Sequence, residues 1–393
     1  MANFKVTKVS QAVLVWARES ARLTQEEAAK KLEVRPLDIQ YWEDGGEEHS
    51  PTLAQLRRMA DVYRRPLAVF LLPEPPDGFD VIRNFRLLPQ NQERSWSRSL
   101  EMEFRRVQMQ REVALELAER EGDDLVDAFL TLSVDDNEEQ VAERIRQWLG
   151  PIAPQDHDAY RREFLQPWIS IIEAKSILVT QVSGVKFREM RGCSISSFPY
   201  PAIILNGVDS ERGRLFTLLH ELVHILLHNG GVCDLGDRQT LQSIGTVRLE
   251  RFCNAVGAAV LIPRTQLLRD RSVAFATANS TWSDQDLERL ANLFGVSQEA
   301  MLLRLVGLGR SSWGHYFDKQ SQFHDYADRS DTEEKKKGGP GPYRLKIRNF
   351  GPKYVRSVLN AYQRRDITGS ELSDYLQIKL NHLPTLELRL GKR

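Results

Sequence analysis

Cysteine and long apolar segments are both scarce in this chain. Three cysteines, Cys193, Cys233 and Cys253, occur in 393 residues, and this small odd number excludes the disulfide framework of a small secreted protein. The most apolar run, residues 67–72, is too short to span a bilayer. The first twenty residues contain neither a sustained apolar core nor a small-residue cleavage site. We therefore expect a cytoplasmic protein without a membrane-spanning segment.

The chain also lacks a net charge. It contains 54 lysines and arginines against 54 aspartates and glutamates, so no overall field attracts nucleic acid or a membrane surface. Binding to a polyanion would have to depend on a local basic patch. The proportions of hydrophobic residues, 41%, and of charged residues, 27%, are typical of a soluble globular protein. A chain of 393 residues exceeds the size of one compact core, so we expect several structural units.

The N-terminal segment has the start and stop signals of several short helices. Thr24 and Glu27 form the sequence pattern of a capping box, and apolar residues follow at helical spacing. Pro36 opens the next short helix, since proline is tolerated in the first turn, and Gly45 follows the end of its pattern. A cluster of prolines over 73–76 closes the segment, which predicts a domain boundary near residue 76.

Helical and strand-like patterns share the rest of the chain. Amphipathic spacing predicts helices over about 92–120, 137–149, 158–175, 211–228, 247–262 and 283–307. Apolar and β-branched runs predict the strands of a small sheet at 177–182, 185–190 and 201–206. A charged linker rich in glycine and proline covers 331–342, and two or three short helices are expected after it. These patterns predict an α+β fold that is mainly helical.

One predicted helix carries a metal-binding motif. Residues 216–228 are largely apolar, and His220, Glu221 and His224 form an HExxH pattern whose histidines lie one turn apart on one helix face. Imidazole ligands suit Zn²⁺, which keeps an open position for water at a catalytic site. Glu221 can then accept a proton from that water and pass it to the leaving amine. The alternative is an ordinary helix with hydrogen-bonded histidines, but burying three such polar groups is costly unless they share a function.

A third ligand is expected on the next apolar helix. A histidine six residues after His224 would indicate an all-histidine site, but that position is Gly230. Glu250 and Asn254 lie one turn apart on the following helix. Glu250 can therefore ligate the metal while Asn254 orients one of the two histidines. The small residues at 257–259 allow this helix to pack closely on the HExxH helix.

Two further residues near the motif have alternative interpretations. His228 lies one turn beyond His224; a role in supporting a ligand or in the core is favoured, and direct ligation is the alternative. Cys253 lies three residues after Glu250 and could approach the metal, although a buried small apolar side chain is the favoured interpretation.

These stretches resemble the ImmA/IrrE family of metallopeptidases. Residues 216–228 are similar to the family's HELGHxLLH helix, and residues 250–263 are similar to its later ExxANxFAxxLLxP helix. The run 201–206 and the preceding Arg191-Gly192 also fit the family pattern. Departures are Val223 for the common glycine, Cys253 for alanine, and valine and glycine at 256–257 for phenylalanine and alanine. None of these departures removes a predicted ligand.

The resemblance implies a role for each matching residue. It implies that His220, His224 and Glu250 bind zinc, that Glu221 is the base, and that Asn254 is the family's asparagine. Members of the family are known for cleaving XRE-type repressors during stress or the activation of mobile elements. The resemblance therefore implies a repressor-like protein substrate.

Residues 12–72 resemble an XRE-type helix-turn-helix, through the stretches 23–29 and 39–45. The resemblance implies DNA binding, and Gln25, Arg35 and Gln40 are the candidate DNA contacts. Acidic residues at 38, 43, 44, 47 and 48 argue against it, because DNA affinity depends on lysines and arginines that neutralise phosphates. A module that holds a protein partner or forms a dimer contact is the alternative.

The sequence thus predicts five segments. They are an XRE-like helix-turn-helix domain (1–76), a helical connector (77–165), an ImmA/IrrE-like zinc metallopeptidase domain (166–312), a linker (313–342) and a C-terminal helical region (343–393). We expect a zinc-dependent endopeptidase that cleaves a repressor-like regulator or a partner from a toxin system, and a homodimer is compatible with the sequence. The alternative is a non-proteolytic transcriptional regulator or antitoxin that uses the helix-turn-helix and has a structural or vestigial zinc site.

Overall fold

The structure, a computed structural model, describes most of the chain. The described residues are 9–75 apart from 22, 46–49, 64 and 66, then 97–122, 129–151, 164–228 apart from 188, 244–319, 323 and 341–391. Side chains are not described for Ser20, Ala68, His228 and residues 244–247. The chain divides into two compact units, Met1–Arg83 with Glu93–Glu112, and Asn84–Gln92 with Val113–Arg393. No helix of the described residues is long and apolar enough to cross a membrane.

The N-terminal unit is a bundle of short helices. Its helices are α1 (Gln11–Ser20), α2 (Gln25–Leu32), α3 (Pro36–Asp44) and α4 (Leu53–Tyr63), followed by a 3-10 helix (Leu67–Leu71). The predicted capping box is present, because Thr24 accepts the Glu27 N–H at 3.1 Å and Glu27 accepts the Thr24 N–H at 3.0 Å. The inward faces of these helices share one apolar core, which includes Leu32, Ile39 and Leu56.

The second unit contains the remaining helices and the sheet. The helix α5 (Arg98–Glu121) begins in the N-terminal unit and continues past Glu112. The other elements of this unit before its C-terminal region are α6 (Glu138–Leu149), α7 (Leu165–Glu173), β1 (Leu178–Val182), β2 (Gly192–Ile195), β3 (Ala202–Asn206), α8 (Glu211–His228), α9 (Ile244–Leu261), α10 (Arg264–Leu267), α11 (Arg271–Ala274), α12 (Asp284–Phe294) and α13 (Gln298–Gly307). The predicted fold class, α+β and mainly helical, is confirmed.

The sheet has three strands in the order β1-β3-β2. The strands β1 and β3 are parallel, with Leu178 opposite Ala202, and β2 is antiparallel to β3, with Ile195 opposite Ala202. All residues of the three strands are buried. Two of the predicted strands agree with β1 and β3. The prediction of a strand over 185–190 was wrong: the described residues of this stretch form no strand, and the second strand is Gly192–Ile195. Pairing with β3 decides which residues become a strand.

The C-terminal region has more helices than predicted. It contains α14 (Pro342–Phe350), α15 (Pro352–Gln363), α16 (Gly369–Leu376), a 3-10 helix (Leu380–His382) and α17 (Leu383–Leu390). These helices are part of the second unit. The predicted linker over 331–342 lies almost entirely outside the described residues.

The corner between α14 and α15 covers the outer edge of β1. The backbone groups of alternate residues in β1 point to opposite edges of the strand. Leu178 N and Val182 O form hydrogen bonds on the β3 side, so the carbonyl of Val179 points to the other edge. Gly351 lies there with a φ of +85°, and a Cβ on it would come within 2.5 Å of the Val179 oxygen. At the start of α15 the Lys353 N–H donates to the Glu173 carboxylate at 3.1 Å. A glycine is therefore required where the two backbones meet.

Candidate functional site

The HExxH helix, α8, lies between the sheet and α9. On the sheet side Gly192 begins β2, and a Cβ on it would come within 2.3 Å of the Thr217 side chain of α8. On the other side a Cβ on Gly257 of α9 would lie 3.4 Å from the backbone nitrogen of His220. Both neighbours of α8 thus contact it at a glycine, and the contact at Gly257 agrees with the predicted packing of this helix on α8.

The packing of α9 on α8 brings three metal-binding side chains together. The Nε2 atoms of His220 and His224 are 3.1 Å apart. Glu250 reaches both of them, with Oε2 at 3.3 Å from His220 Nε2 and Oε1 at 3.2 Å from His224 Nε2. Among the described residues this is the group of histidine, cysteine and carboxylate side chains whose geometry could hold a metal ion.

The separations within this group fit a zinc ion. Zinc–nitrogen and zinc–oxygen bonds of about 2.0–2.1 Å in a tetrahedral site place neighbouring ligand atoms roughly 3.3 Å apart. The two histidine nitrogens, 3.1 Å apart, are close to this value, and each Glu250 oxygen lies at a similar distance from one of them, Oε2 from His220 and Oε1 from His224. One ligand atom from each of the three residues lies within 4.8 Å of the other two. The His220 side chain is fully buried, whereas the Glu250 side chain is 36% exposed. The group can therefore be approached from the side of Glu250.

The electrostatics of the group also favour a cation. Burial by itself would raise the pKa of Glu250, but the hydrogen bonds from His220 and His224 outweigh it and hold the pKa well below its usual range. Burial would lower the pKa of His224, yet Cys253, Glu250 and Glu221 around the ring raise it well above the usual value. The Glu250 and Glu221 carboxylates thus favour a positive charge at the His224 ring.

Glu221 lies beside the metal group and contacts the sheet. Its carboxylate is almost completely buried, and the hydroxyl of Ser194 donates to Glu221 Oε2 at 2.9 Å. Ser194 is two residues after Gly192 on β2, so both side-chain positions are on the strand face that meets α8. Sequence reasoning did not single out Ser194. The spacing of two residues from Gly192 could have indicated it, but this spacing places the two residues on one face only if residues 192–195 form a strand.

The remaining predicted residues of the site have different surroundings. Asn254 is predicted to orient a histidine, but the described residues show no hydrogen bond to either ring, and its Oδ1 atom is buried without a partner among them. The His228 side chain lies outside the described residues. Cys253 is buried, and burial raises the pKa of its thiol although the neighbouring His224 lowers it.

The helix-turn-helix residues predicted to contact DNA are mostly engaged within the domain. The Gln25 amide donates to Glu43 Oε2 at 2.9 Å, and the same carboxylate receives Arg18 through bonds of 2.6 and 2.9 Å. The Arg35 guanidinium donates to both oxygens of Asp38 at 2.7 and 3.2 Å. Gln40 is exposed. Two large apolar side chains share the exposed part of α3 with it: Leu37 is 52% exposed and Tyr41 is 44% exposed.

The fold and these sites define a class: a helix-turn-helix domain joined to a domain with the geometry of an HExxH metal centre. Comparison with known families agrees with both parts. Residues 175–306 match the family model of the IrrE N-terminal-like domain, peptidase family M78, and residues 14–70 match a helix-turn-helix family model. No curated protein is similar enough to count as a match. The predicted fusion of an XRE-type domain with an ImmA/IrrE-like peptidase domain is thereby confirmed.

Proposed function

We propose that this protein is a zinc-dependent endopeptidase that cleaves a specific regulatory protein. The observation that carries the proposal is the convergence of His220, His224 and Glu250 on one point beside Glu221. The match to the IrrE N-terminal-like peptidases over residues 175–306 supports the same chemistry. The cytoplasm is the proposed location.

The roles of the residues follow from their positions. His220, His224 and Glu250 would hold Zn²⁺, which supplies an acidified water molecule when it is bound. Glu221 would accept a proton on its carboxylate from the water that adds to the scissile carbonyl carbon, and it would deliver this proton to the nitrogen of the leaving amine as the C–N bond breaks. The burial of Glu221 keeps bulk water away from the carboxylate, so the proton remains available for the leaving group.

The substrate is proposed to extend along β2. The central strand β3 is paired on both sides, so it offers no edge to a substrate. The outer edge of β1 faces the α14–α15 corner. Within the described part of the chain, β2 has no strand on its outer side, and it carries Ser194 next to Glu221. Because all four residues of β2 are buried, a peptide that paired with its outer edge would have to displace the residues that cover it, and it would then form backbone hydrogen bonds close to the metal group.

The class of substrate is proposed from the joined domain. A peptidase that carries an XRE-type helix-turn-helix suits a target that is itself a repressor-like regulator or a component of a toxin system. The helix-turn-helix would bring the peptidase to its target, either at a DNA site or by direct protein contact. This part of the proposal rests on the family resemblance and on the domain fusion.

Metal analysis and one substitution test the proposal. The wild type should contain about one zinc per chain, and a His220→Ala, Glu250→Ala variant should contain little. Glu221→Gln should keep the zinc and lose cleavage of a repressor-like partner purified with the chain. A Glu211→Gln variant, which changes a carboxylate ten residues earlier on the same helix, is the matched control. Cleavage by the Glu221→Gln variant would contradict the role of Glu221 as the base.

A second function, regulation by binding without proteolysis, is favoured by one observation. Gln25 and Arg35 are engaged by Glu43 and Asp38, and α3 exposes Leu37 and Tyr41. This surface suits a protein partner at least as well as it suits DNA, since few cations remain for phosphates. Gel shifts with the DNA that flanks the gene, at 50 and 200 mM salt, separate the two cases. A sequence-specific, salt-dependent shift would support DNA binding, and no shift at either salt concentration would support a protein partner.

A further inference from the structure

The contact between β2 and the HExxH helix contains a buried hydroxyl–carboxylate pair. Ser194 is 3% exposed and Glu221 is 2% exposed, and the serine hydroxyl donates to Glu221 Oε2 at 2.9 Å. A hydrogen bond from a hydroxyl to a buried carboxylate is of the stronger, charge-assisted kind. Glu221 directly follows His220 on α8, so the pair lies next to a predicted metal ligand. It therefore acts on the side chain that the proposed reaction uses for proton transfer.

The backbone explains why a serine can reach this position. Gly192 has no side chain, so α8 approaches β2 at Thr217 and Glu221, and a Cβ on Gly192 would lie 3.7 Å from Glu221 Cγ. Two residues later the strand again faces α8, and Ser194 lies opposite Ile203 in the register with β3. The position of the hydroxyl is thus held by sheet pairing on one side and by helix packing on the other.

We propose that Ser194 is a positioning residue that holds the Glu221 carboxylate in the rotamer needed at the metal centre. A glutamate has three side-chain torsions, and its carboxylate can turn away from the metal unless a fixed partner binds it. The Ser194 bond uses Oε2, so Oε1 is not engaged by this hydroxyl. Ser194 thereby selects one orientation of the base before any substrate binds, which lowers the cost of reaching the reactive geometry.

This inference rests on the proposed function, and its test needs no substrate. Acetohydroxamic acid is a suitable probe, because it chelates zinc through two oxygens and can donate a hydrogen bond to a carboxylate beside the metal. Its dissociation constant is measured by calorimetry on the zinc-loaded full-length protein. Ser194→Ala should weaken binding about tenfold, in the range observed for residues that orient groups at metal sites. Ser194→Thr, which keeps the hydroxyl, should restore binding to within about twofold of the wild type.

Two controls separate positioning from general loosening. Ile195→Val also removes a buried group from β2, but from the neighbouring position, whose side chain alternates to the other face. It should leave the dissociation constant within about twofold of the wild type. In a Glu221→Ala background the Ser194→Ala change should have little further effect, because a residue that acts through Glu221 has nothing left to position.

The outcomes distinguish the inference from the proposed function. The role of Ser194 would be overturned if Ser194→Ala left the dissociation constant unchanged, or if it weakened hydroxamate binding equally with and without Glu221. Neither result would contradict the metal centre. A wild-type protein that takes up no zinc would overturn the proposed function and the inference together. A zinc-loaded wild type whose hydroxamate affinity does not change in Glu221→Ala would show that Glu221 does not face the open position, and it would overturn both assignments for that residue.

Discussion

The carboxyl group of Glu173 gives the second unit a stability that depends on pH. Glu173 ends α7, is 3% exposed and accepts the Lys353 N–H at the start of α15. Burial raises the pKa of Glu173 to about 8, although the Lys353 N–H and the charges of Arg356 and Lys353 lower it. The group thus titrates far above the usual value of about 4.3 that it has in an unfolded chain.

The direction of the effect follows from the two pKa values. Below about pH 4.3 the carboxyl is protonated in both states, and its contribution to stability is fully present. As the pH rises, the unfolded chain ionises first, and the contribution is lost until the folded pKa of about 8 is reached. A difference of nearly four pKa units corresponds to about 5 kcal/mol at 1.36 kcal/mol per unit, which is a ceiling for this buried group.

A Glu173→Gln substitution tests this reasoning. Glutamine keeps an oxygen that can accept the Lys353 N–H but carries no titrating proton. The variant should exceed the wild type's free energy of unfolding by about 1 kcal/mol or less at pH 5, and by a few kcal/mol, at most about 5, at pH 9. Urea unfolding at pH 5, 7 and 9, followed by circular dichroism, measures the difference. Glu371→Gln is the control, because the pKa of this capping carboxylate is lowered and the sign is opposite. Parallel losses of stability in the wild type and Glu173→Gln would refute the reasoning.

Three other perturbations have outcomes that the structure predicts. Gly351→Ala should lower the free energy of unfolding by at least about 2 kcal/mol in urea, since φ is +85° and the new Cβ would lie 2.5 Å from the Val179 oxygen; an unchanged midpoint would contradict the close approach. Glu43→Ala should destabilise the N-terminal unit by about 3 kcal/mol, because the Arg18 side chain, 11% exposed, loses the Glu43 carboxylate. Thermal unfolding measures this loss. Glu19→Ala is the control, since Glu19 is an exposed partner of the same arginine. Removal of zinc by a chelator should lower the melting temperature of the wild type. The loss corresponds to about 4 kcal/mol for protein that was held at a free zinc concentration of 1,000 Kd. The melting temperature of His220→Ala should not change, and equal shifts in the two proteins would show that the zinc does not bind at this site.

Local sequence patterns determined the parts of the protein that depend on neighbours along the chain. The helical period alone puts His220 and His224 one turn apart, and Thr24 and Glu27 form their capping box because three residues separate them. The same locality explains why most helices were predicted near their observed ends. Glu250 was selected because it lies on the next apolar helix, and the fusion of two domains was recognised from motifs that are short and continuous.

Tertiary structure decided what depends on residues that are far apart in sequence. Strand pairing placed β2 at Gly192–Ile195 and made β3 central, and neither a register nor a strand order is encoded in one strand's own pattern. The partner of Glu221 is Ser194, 27 residues away, and Gln25 is bound by Glu43, 18 residues away. The convergence of Glu250 on the two histidines likewise needs two helices to pack at Gly257. The sequence by itself determined which residues could do the chemistry, and the packing of helix, strand and helix decided which of them meet.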